Sequence, residues 1–358
     1  MAPEFLSNEE IVLAAKRNVP QGTWDYLVGG SESETTMRRN RLAFDRWGFR
    51  PRILIDVSKI DTSTTWLGEK MRIPVMLAPL GSMQVFTPEG AAAAAEAAGE
   101  FGTLQAVSSV TLPSLEETAA AGTAGKVFQL YVQGDQDWIR EILGRAKAAG
   151  YIALAITVDT AIYSRRERPM LNRWAPPTRR VLLARNFLSE LTWDSLDFIR
   201  KEWSGPLMVK GVATAEDATL CVEHGVDVVW VSNHGGRQLD HGLGSLDVLP
   251  EVVAAVNGRA EVIVDGGVQR GTDILKAIAL GAKAVAVGKL EAWGLAAAGK
   301  DGVFRMLELL ENELISAMGL LGVTSIDQVT AKHVCRAESV TAPHEMSAWV
   351  NMPGTRIL

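Results

Sequence analysis

From Pro74 onward, short apolar runs alternate with alanine-rich amphipathic stretches. A strand buried on both faces reads as a near-continuous apolar run, whereas a helix covering it needs one apolar stripe, so the alternation predicts βα units on a parallel sheet. Eight runs fit: Pro74–Ala78, Leu104–Ser108, Lys126–Tyr131, Ile152–Thr157, Leu207–Lys210, Val226–Val231, Val262–Asp265 and Ala284–Gly288. Helical text follows nearly every one, as in Ala91–Phe101, Trp138–Ala149, Ala215–Glu223, Thr272–Leu280 and Gly302–Ala317. Eight repeats predict an α/β fold, a closed (β/α)8 TIM barrel, with a doubly wound open sheet as the competing arrangement. Ahead of it, Ser7-Asn8-Glu9-Glu10 reads as a capping box opening a helix through about Arg17. A second helical stretch around Trp24 to Leu27 ends at Gly29-Gly30. The expected organisation is one unit over residues 1–358, with residues 1–70 as an N-terminal helical extension packed on the barrel. Leu171–Arg200 is the longest interruption, holds Pro176-Pro177 and is expected to form a lid over the mouth.

Polar residues are not scattered through this pattern. Gln129 and Tyr131, Thr157 and Asp159, Lys210, Ser232 and His234, Asp265 and Lys289 all fall at or just past the C-terminal ends of six runs. That is the face on which barrel enzymes assemble their sites.

Composition narrows the partners. With 36 Lys and Arg against 42 Asp and Glu the formal charge is −6, which favours neither nucleic acid nor an anionic membrane. Arg165, Arg166, Arg168, Arg173, Arg179 and Arg180 cluster locally, and for most of them a solvated loop is the expectation. Two cysteines, Cys221 and Cys335, make no disulfide framework and fit a reducing cytoplasm. The first twenty residues have no signal-peptide core, and no run reaches the ~18 apolar residues of a membrane span. A soluble, cytoplasmic protein is expected. There is no HExxH, CxxC or His–carboxylate cluster, so no metal is expected.

Ser232-Asn233-His234-Gly235-Gly236-Arg237 follows the sixth run. A histidine there can act as a general base, the glycines let backbone approach a ligand, and the arginine can grip a carboxylate. His224, His241, His333 and His344 have no such setting and are read as satisfied core residues. Asp265-Gly266-Gly267 after the seventh run and Gly288-Lys289 after the eighth predict a phosphate pocket of backbone amides. No GxGxxG follows the first run, so a Rossmann nicotinamide site has no support. Lys210 ends an apolar strand, either snorkelling outward or serving a buried anion or polar ring.

These residues, with Asp25-Tyr26, Phe49-Arg50-Pro51-Arg52, Thr87-Pro88-Glu89-Gly90, Gln129-Leu130-Tyr131-Val132, Thr157-Val158-Asp159, Arg165-Arg166, Lys210-Gly211 and the string Ser232 to Asp240, carry a resemblance. From about Val19 to Val329 the chain resembles the FMN-dependent 2-hydroxy-acid oxidases and dehydrogenases. The resemblance implies that His234 takes a proton from the substrate as two electrons pass to the flavin, with Asp159 stabilising the charged imidazole. It implies that Arg237 and Arg166 clamp the substrate carboxylate, that Tyr26 adds a hydroxyl, and that Tyr131 bonds near the substrate oxygen. Lys210 is placed by the N1–C2 edge of the ring. Ser108, Gln129, Thr157 and Ser232 are placed against the isoalloxazine, and Pro79, Leu80, Gly81, Asp265, Gly266, Gly267, Gln269, Gly288 and Lys289 are the other residues implied to bind FMN. The implied partners are a small 2-hydroxy acid and an oxygen or quinone acceptor, in a homotetramer.

The chain departs from the family pattern in places. Gln269 and Lys289 stand where arginines usually hold the phosphate, so weaker FMN binding is expected, with Arg270 as a candidate compensation. Val110 stands where glycolate-oxidising members carry a tryptophan, and the text after the fourth run is shorter. Both imply a substrate larger than glycolate. Thr160-Ala161 and Thr87 also differ, without a physical account. Oxidation of a peptide-derived or natural-product carboxylate is the alternative reaction, and a non-catalytic degenerate barrel the alternative role.

Overall fold

The computed structural model describes residues 4–177, 179, 187–340 and 344–350. Eight parallel strands close into a barrel: β1 (Val75–Leu77), β2 (Leu104–Ser108), β3 (Lys126–Leu130), β4 (Ala153–Thr157), β5 (Leu207–Val212), β6 (Val228–Val231), β7 (Glu261–Val264) and β8 (Ala284–Val287), with β8 pairing back onto β1. The doubly wound sheet is excluded. Closure follows from the strands' two faces. Ala153 and Ala155 of β4 point into the barrel beside Met76, Ala106, Met208 and Trp230, while Leu154 and Ile156 pack outward against the helices. Small residues opposite Trp230 and the methionines fill the interior without a pore.

Strand ends are where prediction and structure differ. β5 runs on to Val212 through a bulge between Lys210 and Val212, where Gly211 has φ +117°. A side chain there would collide with Asp159, so the glycine is what lets β5 pass that carboxylate.

Residues before the barrel form helices Asn8–Asn18, Gln21–Val28 and Thr35–Asp45, but also three short strands. Trp47–Phe49 pairs with Val334–Arg336, and the hairpin Thr64–Trp66/Glu69–Met71 plugs the barrel's N-terminal end with Trp66, whose indole N–H donates to Glu261 at 2.6 Å. The expected capping box does not form: Ser7 makes no side-chain cap, and the Glu10 carboxylate accepts from the Leu6 N–H instead. Of the expected lid, residues 178 and 180–186 lie outside the described residues.

The stretch Lys289–Leu321 is helical except at Ala298 and Gly299, which break it into two arms. The arms meet at Gly294 and Gly302, and a β-carbon on Gly302 would sit well inside contact distance of the Gly294 carbonyl. Gly302→Ala is therefore expected to destabilise the protein by roughly 1–3 kcal/mol, read as a lower denaturant midpoint with an unchanged slope.

Candidate active site

The C-terminal ends of the strands open into a cavity with about 1270 Å³ of empty space, its solvent-open mouth included. Ala78, Pro79, Leu80 and Gly81 beyond β1, Lys210 from β5, His234, Gly235 and Arg237 beyond β6, Asp265 to Gln269 beyond β7 and Gly288-Lys289 beyond β8 line it. Tyr26, Leu27, Met37, Asn40 and Arg41 of the N-terminal helices roof it over.

His234 takes a left-handed backbone conformation, φ +59°, on the turn after β6. Its N–H donates to Ser232 Oγ at 3.0 Å, which fixes the turn. The ring's Nδ1 lies 2.9 Å from Asp159 Oδ1, and its Nε2 lies 3.4 Å from the Tyr131 hydroxyl. Burial lowers the imidazole's proton affinity below its ordinary value, and nearby Lys210 and Arg166 act the same way against the pull of Asp159. Burial alone would raise Asp159, but the imidazole, Lys210 and Arg166 hold it below the usual carboxylate range. The arrangement that satisfies both groups is a neutral ring whose Nδ1–H donates to an anionic carboxylate, leaving a free lone pair on Nε2. Burial raises the Tyr131 phenol, so it stays a neutral donor.

Lys210 does not snorkel. It is 4% exposed, donates to Ser232 Oγ at 3.0 Å and lies 3.4 Å from Asp265, while Ser232 donates to Asp265 at 2.7 Å. The cation is thus held by an anion one strand beyond its neighbour, with its head still on the cavity wall.

Two buried guanidiniums face the same space. Arg166 donates to Ser164 Oγ (3.2 Å), the Arg237 carbonyl (3.3 Å) and Gln238 Oε1 (3.2 Å). Arg237 donates to the carbonyls of Tyr26 (2.7 Å) and Gly29 (2.8 Å), and its carbon lies 4.8 Å from the centre of the Tyr26 ring. Among the described residues neither has a carboxylate partner. Burial, with Arg166 beside it, pulls Arg237 down to about 10. Two such charges side by side, answered only by neutral oxygens, are an anion site. Tyr26, Phe86, Val110 and Tyr163 complete the wall around them.

Ser108, Gln129, Thr157 and Ser232 are buried at the strand ends but do not line the cavity; Gln129 spends its amide N–H on Thr157 at 2.9 Å and keeps an unpaired Oε1. Arg270 does not compensate for Gln269, because its side chain turns away to Glu313 at 3.2 Å. Gln269 donates to the Glu345 carbonyl at 2.8 Å. Lys289 donates to the Val28 carbonyl at 2.8 Å, and burial, with Arg237 nearby, pulls it down to about 7. The remaining histidines are not core residues: His224, His241, His333 and His344 are all partly or fully exposed, and His224 bonds Asp197 at 2.7 Å. Sequence reasoning missed Arg41, Glu34, Arg168 and Glu345. Arg168 bridges Glu34 (2.5 Å) and Glu345 (3.3 Å), and Arg41 pairs with Asp273 at 2.7 Å and bonds the Gly267 carbonyl. No residue within two or three positions of any of them marks these pairings. Among the described residues no His, Cys, Asp or Glu cluster could hold a metal, and no helix is long and apolar enough to cross a membrane.

A sequence model of the family described as FMN-dependent dehydrogenase matches residues 15–336. Glycolate oxidase 3 of Arabidopsis thaliana is 41% identical, over 93% of this chain and 96% of its own. L-lactate oxidase of Nostoc sp. is 40% identical, over 88% and 94%. Among solved structures, a soluble mutant of the membrane-associated (S)-mandelate dehydrogenase of Pseudomonas putida superposes with a TM-score of 0.88 at 32% identity, covering 93% of this chain and 100% of that one. Mandelate oxidase gives 0.86 at 38% identity, covering 94% and 100%. The matched span includes the whole barrel and every cavity residue named above except Glu345, and the chain therefore belongs to the FMN-dependent dehydrogenase family.

Proposed function

We propose that the protein oxidises a 2-hydroxy acid larger than glycolate to the 2-oxo acid, using FMN. The observation that carries this reading is the placement of one neutral buried base, His234, beside two buried guanidiniums that lack an anion.

The cavity fits FMN. Gly266 and Gly267 have φ +94° and +91°, and β-carbons on them would strike Ser245 and Asn40, so bare backbone amides form the turn that a phosphate-bearing ligand can approach. Gly288 and Lys289 would hold the phosphate from β8, and Lys210 the electron-rich edge of the ring, with Ala78 to Gly81 along it. Bound FMN supplies a two-electron acceptor.

The chain's own residues do the rest. Arg166 and Arg237 hold the substrate carboxylate, which orients its C2 toward the histidine. Nε2 of His234 takes the C2 proton or the hydroxyl proton, and Asp159 stabilises the imidazolium so formed. The Tyr131 hydroxyl donates to the substrate oxygen. Phe86, Val110 and Tyr163 give an apolar wall with room for a side chain beyond the carboxylate, which supports the larger substrate. In the same reading the chain acts as one unit with its N-terminal segment as the roof. Exposed Ile53 and Leu54, at 81% and 99%, offer an apolar patch that a second copy could cover in the homotetramer of this reading, and two free cysteines are compatible with a reducing cytoplasm. The acceptor is oxygen or a quinone.

The test is anaerobic mixing with a panel of aliphatic and aromatic 2-hydroxy acids while watching the flavin band at about 450 nm. Bleaching by a bulky 2-hydroxy acid and not by glycolate is the expected result; no bleaching by any member of the panel overturns the reading.

Lys289 adds a pH dependence. A phosphate monoester is already dianionic above pH ~7, whereas a lysine pulled down to about 7 loses its charge as pH rises past that point. FMN affinity of the apoprotein is expected to fall on the order of tenfold between about pH 7 and 9. Riboflavin, lacking the phosphate, should show no such fall in the same fluorescence titration.

A further inference from the structure

The corner of the cavity assigned above to the phosphate contains a carboxylate of the chain itself. Glu345 is 7% exposed and lines the cavity. Its Oε1 lies 3.3 Å from Arg168 and its Oε2 3.5 Å from the His344 ring, and its charge reaches Lys289. The segment 344–350 that carries it lies beyond residues 15–336, which match the family. It is anchored, not loosely draped. Met346 and Trp349 are buried, and the Trp349 ring meets Trp293 edge-on at 5.6 Å. Gln269 completes the anchorage by donating to the Glu345 carbonyl, so the residue standing in place of a phosphate-binding arginine holds this segment instead.

The charges explain why this matters. Lys289 and Arg168 are the cations of the corner, with Arg237 acting on Lys289 from the substrate side, and Glu34 and Glu345 are its anions, with Arg41 and Asp273 paired close by. A dianionic phosphate entering a corner whose cations already face carboxylates gains less from them and meets a like charge. Withdrawing Glu345 returns one net positive charge.

We propose that Glu345 is an internal anion that competes with the FMN phosphate for the Lys289–Arg168 corner, and that the Gln269-held segment 344–350 thereby sets how tightly the cofactor is kept. The inference rests on the phosphate seat proposed above and not on the substrate reading. Apoprotein, freed of flavin, is titrated with FMN and with riboflavin while flavin fluorescence is followed. Glu345→Gln is expected to lower the Kd for FMN on the order of tenfold and leave that for riboflavin unchanged. Trp349→Ala, which unseats the segment without altering charge, is expected to shift FMN affinity in the same direction. An FMN-to-riboflavin Kd ratio unchanged by Glu345→Gln overturns the proposal, as does weaker FMN binding, which would make the segment a clamp. No substrate enters the titration, so a wrong substrate assignment leaves its outcome intact.

Discussion

Replacing His234 with Asn should leave FMN bound and slow its reduction by substrate about 10⁴-fold, the upper range for loss of a positioned base. Asn keeps a polar side chain near Asp159 but carries no lone pair able to accept a proton at neutral pH. The pH profile gives the second readout. His234 works as a base only when neutral, and burial sets its proton affinity below the ordinary value of 6.5. Reduction by substrate should therefore fall as pH drops, with the midpoint of that limb on the acid side of 6.5, and the limb should vanish in the variant. Stopped-flow reduction at several pH values measures both. An unchanged rate in the variant would sink the assignment.

Arg166→Met should reduce kcat/KM about 10²- to 10³-fold, within the range for truncating one partner of a desolvated charge pair. Thermal stability should change little. A buried guanidinium without an anion costs solvation that neutral acceptors only partly return, so a methionine of similar length is tolerated by the fold. This split between activity and stability is what separates ligand binding from a structural role. Were Arg166 a strut for the loop at Ser164 and Gln238, the melting temperature would drop and KM would hold. A small dicarboxylate inhibitor should also lose affinity for the variant in proportion to the loss in kcat/KM.

Much of this site could be read from local text because it sits where chain geometry makes side chains predictable. A strand end followed by a glycine-rich turn places its polar residue at the barrel mouth whatever the rest of the chain does, so His234, Lys210, Asp159 and Tyr131 converge as expected. β2 and the helices Ala91–Phe101 and Ala215–Glu223 have the predicted bounds for the same reason, a clean period between unambiguous stops. Partnerships across long separations were not legible. Arg168 and Glu345 are 177 positions apart, and each alone looks like a solvated surface charge. The hairpin Thr64–Met71 was missed because its two strands of three residues are too short for alternation to show. Ser7 and Glu10 have capping-box spacing, yet the glutamate found a donor one residue earlier, a choice decided by the entry path of the chain.

The roof of the cavity is fastened by residues that follow it by more than two hundred positions. Tyr26 accepts from Arg237 across 211 positions, Arg41 reaches Asp273 across 232, and Val28 accepts from Lys289 across 261. On the ribosome, the opening helices must wait through most of translation before the groups that steady them emerge, and those long closures come late in folding. A nascent chain should thus acquire barrel strands well before it can retain a flavin, and cofactor capture should wait until Lys289 has emerged and found Val28.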